Sequence, residues 1–386
     1  MSDRASGHTS DRTSVYSDEP GRVGQMIEMF LSGQSDSVAS PEDLPRVCLS
    51  VGADARDDCA VYDVSGPMSL VVGSDYVRGS KFVLYELGLL NNFDIGYYVV
   101  VANVSDVAAM GAAPIGVLTV VRYPSDLDDA GFREIMAGIH QACTDSGTLN
   151  VGGDIGNAER IVLSGSALGV CERGKVLSRA GARPDDVLCL TGPCGVLGAA
   201  VAYFPQRGTR GWSLPSDVEE QLLASWRRPR ARVAEGRILS RHGFGTACQD
   251  TSDGLKATIE QLSAASGVGF DVFEEDVPLA PAVGQVAKLI GVDPLTLAMS
   301  ASSDFQLAFT VPREDIDQCT EEFLAKGLTL HAIGRATSAR YGIRLRNKAG
   351  DHRPLPGVAW RHQTTDISTL VPDTNSAGQA SRLAGR

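Results

Sequence analysis

The chain has 386 residues, a formal net charge of −12, 43% hydrophobic residues and 21% charged ones. That length suits two domains around real cores, and the acidity excludes the basic footprint that nonspecific nucleic-acid binding needs. The longest apolar candidate, residues 95–110, is broken by Asn103, Ser105 and Asp106 and is too short to span a bilayer, so no membrane partner and a cytoplasmic location are expected.

Residues 1–21 are polar, lack the apolar stretch of a secretory leader and read as a disordered tail. Residues 25–30 predict a short helix. Strand signals begin at Val47 and continue through 60–64 and 69–73, separated by the turn residues Ser65-Gly66-Pro67. Residues 94–110 predict a long helix ending at Gly111. A strand follows at 115–121, and a helix at 127–146 with Phe132, Ile135, Met136 and Ile139 at helical spacing. Asn150-Val151 leads into Gly152-Gly153-Asp154, and 161–170 is another strand. The turn-rich stretch 175–186 marks a boundary. Beyond it a strand at 187–190 ends in a glycine turn, and helices and strands alternate to about Arg346. The tail after Thr364 is polar and reads as disordered.

The eight cysteines form no CxxC pair and mostly sit in apolar runs, which reads as buried, reduced thiols. Five acidic motifs stand out: Asp57-Asp58-Cys59-Ala60-Val61, Ser74-Asp75, Ser105-Asp106-Val107-Ala108-Ala109, Gly152-Gly153-Asp154 and Ser252-Asp253-Gly254-Leu255. Aspartate in a turn is usually a cap. Asp106 is different, because it lies inside an apolar helical pattern where capping is hard to arrange. A carboxylate at the edge of a core is costly unless paired or bound to a cation, and Mg²⁺ joins a few carboxylates to substrate phosphates. Aspartates converging from several elements would make a Mg²⁺-ATP site. Paired glycines at 152 and 153 would let backbone N–H groups approach a phosphate. Thr191-Gly192-Pro193-Cys194-Gly195-Val196-Leu197-Gly198 is a glycine-rich turn without the lysine of a Walker A loop, and reads better as chain reversal. Among the cations Arg78, Lys81, Arg179, Arg228 and Arg232, Arg179 is the one placed to reach phosphate. No HExxH spacing occurs, and no serine triad is evident.

Taken in order, these motifs resemble the thiamine-monophosphate kinase family, which shares a superfamily with aminoimidazole ribonucleotide synthetase, selenophosphate synthetase and a hydrogenase-maturation protein. The resemblance covers roughly residues 22–363. It is carried above all by Asn103-Val104-Ser105-Asp106-Val107-Ala108-Ala109-Met110-Gly111-Ala112-Ala113-Pro114, with Gly152-Gly153-Asp154, Ser178-Arg179-Ala180-Gly181-Ala182, Ser252-Asp253-Gly254-Leu255 and Arg228-Pro229-Arg230-Ala231-Arg232 in register. It implies a two-domain α+β fold of the PurM-like type. An N-terminal ATP- and Mg²⁺-binding domain (22–175) would have an antiparallel sheet that forms a barrel across a homodimer. A layered α/β C-terminal domain (176–363) would follow, and 364–386 would be a tail. Carried over by position, Asp58, Asp75, Asp106, Asp154 and Asp253 are metal candidates. Gly152, Gly153, Arg179 and Ser252 are nucleotide contacts, and Asp253 and Arg179 the catalytic pair. The implied reaction passes the ATP γ-phosphoryl group to thiamine monophosphate.

The surroundings depart from the family pattern. Arg56 stands in place of a glycine, Arg78 and Lys81 in place of an acid and a histidine, Ile155 in place of threonine, and Ser302-Ser303-Asp304-Phe305 in place of an acid-rich stretch. A specialised-metabolism relative with a different small-molecule acceptor would fit. Two alternatives stand beside the kinase: a synthetase or cyclase that activates an amide-like oxygen by phosphorylation, and a nucleotide-binding dimer without turnover.

Overall fold

Alternating burial along the strands and fully buried helices divide the chain into two sheets with a common helical filling. The computed structural model describes residues 48–359, apart from 65 and 78–81. The helix predicted over 25–30, both tails, and Arg78 and Lys81 lie outside the described residues.

The first sheet has strand order β1-β2-β3-β6-β4-β5. Its strands are β1 Cys48–Val51, β2 Ala60–Asp63, β3 Met68–Val77, β4 Ala113–Tyr123, β5 Asn150–Asn157 and β6 Val162–Glu172. β6 alternates buried and half-buried residues along its whole length, the period-2 signature of a strand with one face on a core. The expectation of an antiparallel sheet needs one correction. β5 runs parallel to β4, pairing Asp154 with Val120, because helix α2 crosses between them.

Two helices cover the buried face: α1 Asn92–Ala109 and α2 Asp129–Asp145. A capping box starts α1, with Asn91 accepting from the Asp94 N–H and Asp94 accepting from the Asn91 N–H, both at 3.0 Å. The Asp128 carboxylate caps α2 by accepting from the Gly131 N–H. The two helices touch backbone to backbone. A Cβ on Gly138 would lie 2.0 Å from the Phe93 carbonyl oxygen, and one on Gly96 2.2 Å from that of Ile135, so only glycine permits this approach.

The second sheet has order β13-β12-β9-β11-β7-β10-β8. Its strands are β7 Val187–Leu190, β8 Ala247–Asp250, β9 Val268–Phe273, β10 Leu307–Val311, β11 His331–Ser338, β12 Ile343–Arg346 and β13 His352–Arg353. β8 and β10 are buried along their whole length; β10 is accordingly almost wholly apolar, whereas β8 carries the polar Gln249 and Asp250 into the interior. Its helices include α3 Val196–Tyr203, α4 Ser216–Arg227, α5 Val233–His242, α6 Leu255–Ser266 and α7 Pro281–Ile290. The largest core joins α1 and α2 of the first half to α3, α4 and α7 of the second. At that junction the Tyr98 ring stacks on Trp226 with centroids 5.4 Å apart and meets Phe305 edge-on at 5.3 Å. Arg228 crosses the same junction. It bonds Asp94 at 3.0 Å and lies over the rings of Phe93 and Tyr97. The eight cysteines are all free and seven are buried.

Candidate metal and nucleotide site

Asp106 is the only residue between Asp94 and Ala109 of α1 that is not fully buried. Its carboxylate meets those of Asp58, on the loop before β2, and Asp250, the last residue of β8. One ligand oxygen from each lies within 4.8 Å of the other two. Three elements from both halves of the molecule therefore deliver acids to one point.

The surroundings hold these carboxylates from outside the cluster. Asp250 accepts from the Ser105 hydroxyl at 2.5 Å and from the Ser252 hydroxyl at 2.7 Å, so its two oxygens are oriented by α1 and by the turn after β8. Asp57 accepts from the Ser178 hydroxyl at 2.6 Å and from the Arg179 N–H. The Arg179 guanidinium bonds Asp58 Oδ1 and the Arg56 carbonyl. Asp58 Oδ2 is buried and has no hydrogen-bond partner. An unpartnered buried oxygen on one of three clustered carboxylates is a strong cation signal, since burying it uncompensated is costly.

Electrostatics agree. Burial first, then the neighbouring Asp250 and Asp57 charges, push the Asp58 carboxyl up to about 7 despite Arg179. Burial and the charges of Asp250, Asp58 and Asp75 push Asp106 well above the usual carboxylate range. Burial opposes the charge on Arg179, but its pairing with Asp58 outweighs that and raises its pKa. Such a set repels itself without a divalent ion and suits hard-cation coordination.

The sequence candidates separate accordingly. Asp58 and Asp106 come together. Asp75 sits beside them on β3, donating its N–H to Asn103 of α1 at 2.9 Å, and its charge acts on Asp106. Arg179 is in contact with the cluster. Ser252 orients Asp250, while Asp253 lies one turn further on, outside the trio. Asp154 is elsewhere. It is paired with Arg122 at 2.6 Å on the exposed edge strand β5, which lowers its pKa. Gly152 and Gly153 lie inside that strand rather than in a turn. There they line a groove of about 540 Å³ with Thr119, Met136 and His140. Within one chain, Gly152, Gly153 and Asp154 do not join the trio. The Gly192–Gly198 turn is also settled: the buried Asp304 carboxylate accepts from the N–H groups of Gly195 and Leu197, occupying the start of α3. Asp250 was missed by sequence reading. Its signal was an acid ending a fully buried strand, three residues before the aspartate that looked more like a motif.

Comparison with known proteins bears on the family and the fold. Family models described as the AIR synthase related protein N-terminal and C-terminal domains match residues 56–171 and 183–346. A thiamine-monophosphate kinase of Methanopyrus kandleri is 32% identical over 84% of this chain and 93% of its own length. One from Pyrococcus abyssi is 33% identical over 60% and 69%. The structure of AaThiL complexed with AMPPCP and TMP aligns with a TM-score of 0.70 at 24% identity, covering 89% of this chain and 97% of that one. A hydrogenase maturation protein, HypE in complex with ATP, aligns at 0.62 and 19% identity over 79% and 89%. At these identities the structures establish the two-domain α+β fold. Among the described residues no helix is long and apolar enough to cross a membrane. With both family domains matched in order and a relative covered almost end to end, the chain belongs to the thiamine-monophosphate kinase family of ATP-dependent enzymes, within the AIR synthase related group.

Proposed function

We propose that this chain transfers the γ-phosphoryl group of Mg²⁺-ATP to a phosphate-bearing small molecule, with thiamine monophosphate, the acceptor in its relatives' names, as the first to test. The observation that carries this reading is the trio Asp58, Asp106 and Asp250 with its unpartnered oxygen. These residues fit a divalent cation, with Asp75 at the margin. A bound Mg²⁺ would neutralise developing charge on the transferred group. The chain's own work is positional. The serines hold Asp250, α1 holds Asp106 rigidly, and Arg179 supplies a forked donor for phosphate oxygens. A phosphate acceptor is largely ionised near neutral pH, so the site needs no strong general base.

The same reading includes a homodimer. Ile115, Leu118, Val151, Ile155 and Tyr76 are exposed on the first sheet, an apolar surface suited to a second copy closing a barrel. In that assembly Gly152, Gly153 and Asp154 would serve the nucleotide from the shared edge.

The deciding experiment incubates the protein with Mg²⁺, ATP and thiamine monophosphate and follows phosphorus-31 resonances. ADP with a new diphosphate supports the kinase. Free phosphate with a condensed product from a wider metabolite panel supports the synthetase reading, which likeness to the ATP-bound HypE structure keeps in view. Nucleotide binding with no turnover on any acceptor refutes both.

A further inference from the structure

Arg179 holds two positions' worth of partners on one side of the trio. Nη2 bonds Asp58, Nη1 bonds the Arg56 carbonyl, and Nε is buried with no hydrogen-bond partner, 4.0 Å from Asp57. Its side chain is 20% exposed, so it is not sealed in the interior. Its charge acts on both Asp58 and Asp106, and those of Asp57, Asp58 and Asp250 act on it. Arg179 is thus the resident counter-ion of a carboxylate cluster whose fourth neighbour, Asp57, is already satisfied by Ser178.

From this arrangement we infer that Arg179 and the divalent cation compete for Asp58, so that cation binding releases the guanidinium to receive the nucleotide's phosphate. Arg179 is then a positioning residue that makes binding ordered: cation first, triphosphate second. The inference rests on the cation reading of the trio. Three features favour the exchange. A cation bonded to Asp58 lowers the charge density that holds Arg179. The guanidinium carries an unused buried donor, costly where it stands. Phosphate oxygens offer it a planar, two-pronged partner.

The test measures Mg²⁺ affinity without nucleotide, by thermal shift and calorimetry, and then the affinity for a non-hydrolysable ATP analogue at saturating Mg²⁺. Arg179→Met removes the competitor. It is expected to bind Mg²⁺ about three- to tenfold more tightly and the analogue about tenfold or more weakly. A merely structural arginine would weaken both together. In the wild-type protein, an arginine-selective dicarbonyl reagent should modify Arg179 faster with Mg²⁺ alone, and slower once the analogue is added. This arm needs no variant, so misfolding of Arg179→Met leaves the inference testable. Wild-type protein that takes up Mg²⁺ with Arg179 reactivity unchanged overturns the exchange alone. Wild-type protein whose response to Mg²⁺ matches that of Asp106→Asn overturns the cation reading itself.

Discussion

Replacing Asp106 by Asn removes one charge from the trio without changing its shape. With ligand oxygens no more than 4.8 Å apart, each ionised pair repels by at least about 3.5 kcal/mol at an effective dielectric of 20. Asp58 carries a cost of its own, set first by burial and then by the charges of Asp250 and Asp57. Moving it from 3.8 to about 7 corresponds to about 4 kcal/mol between its two protonation states. The direction follows from linkage. A carboxyl raised by folding favours the folded state fully below about pH 4, and that contribution is lost as pH rises through about 7. The cation-free wild-type protein therefore weakens between about pH 4 and pH 7, and Asp106→Asn recovers part of the loss. Allowing for partial neutralisation by Arg179, about 2–3 kcal/mol is expected, a rise of roughly 3–5 °C in Tm at pH 8. At pH 5 the two proteins should melt much closer together. The assay is differential scanning fluorimetry in chelator at both pH values, then with Mg²⁺ added. The wild type should gain stability with Mg²⁺ and the variant little. An Asp106→Asn protein that is less stable than wild type at pH 8, or that gains as much from Mg²⁺, refutes the reasoning.

Other substitutions probe the scaffold. Arg56 holds φ at 51°, a left-handed conformation that costs a side-chain-bearing residue about 1 kcal/mol, so Arg56→Gly should be neutral or slightly stabilising in urea denaturation. A Cβ on Gly153 would lie 1.7 Å from the Thr119 carbonyl oxygen; Gly153→Ala should detach β5 from β4 and cost about 2 kcal/mol or more, read by hydrogen exchange along β5. Asp304→Ala strips the cap from α3 and should lower stability by about 1–2 kcal/mol, visible in the denaturation midpoint. Ile155→Asp places a charge on the exposed apolar sheet and should shift sedimentation toward a single subunit while leaving the monomer folded.

Much of this fold was legible because its signals are local. α1 is legible from a mostly apolar run, and Asp106, a charge within its Asn103–Asp106 polar interruption, marks the site. β5 was not readable, since its exposed residues and three glycines carry no burial pattern. Its parallel pairing is set by the length of the α2 crossover. Asp250 escaped for a related reason: a buried strand ending in an acid has no periodicity of its own, and Ser252-Asp253-Gly254 next to it carries stronger turn chemistry. The displacement of Asp154 from the trio is a property of three-dimensional sheet order, in which β6 and β4 lie between β3 and the edge strand β5.

The trio takes Asp58 and Asp106 from one half of the molecule and Asp250 from the other. A divalent ion held there would rivet the halves, and any hinge movement that parts them would have to break the rivet first. Its grip is therefore also a measure of how far the molecule opens, and swapping ions of different radius would tune that opening without altering a single residue.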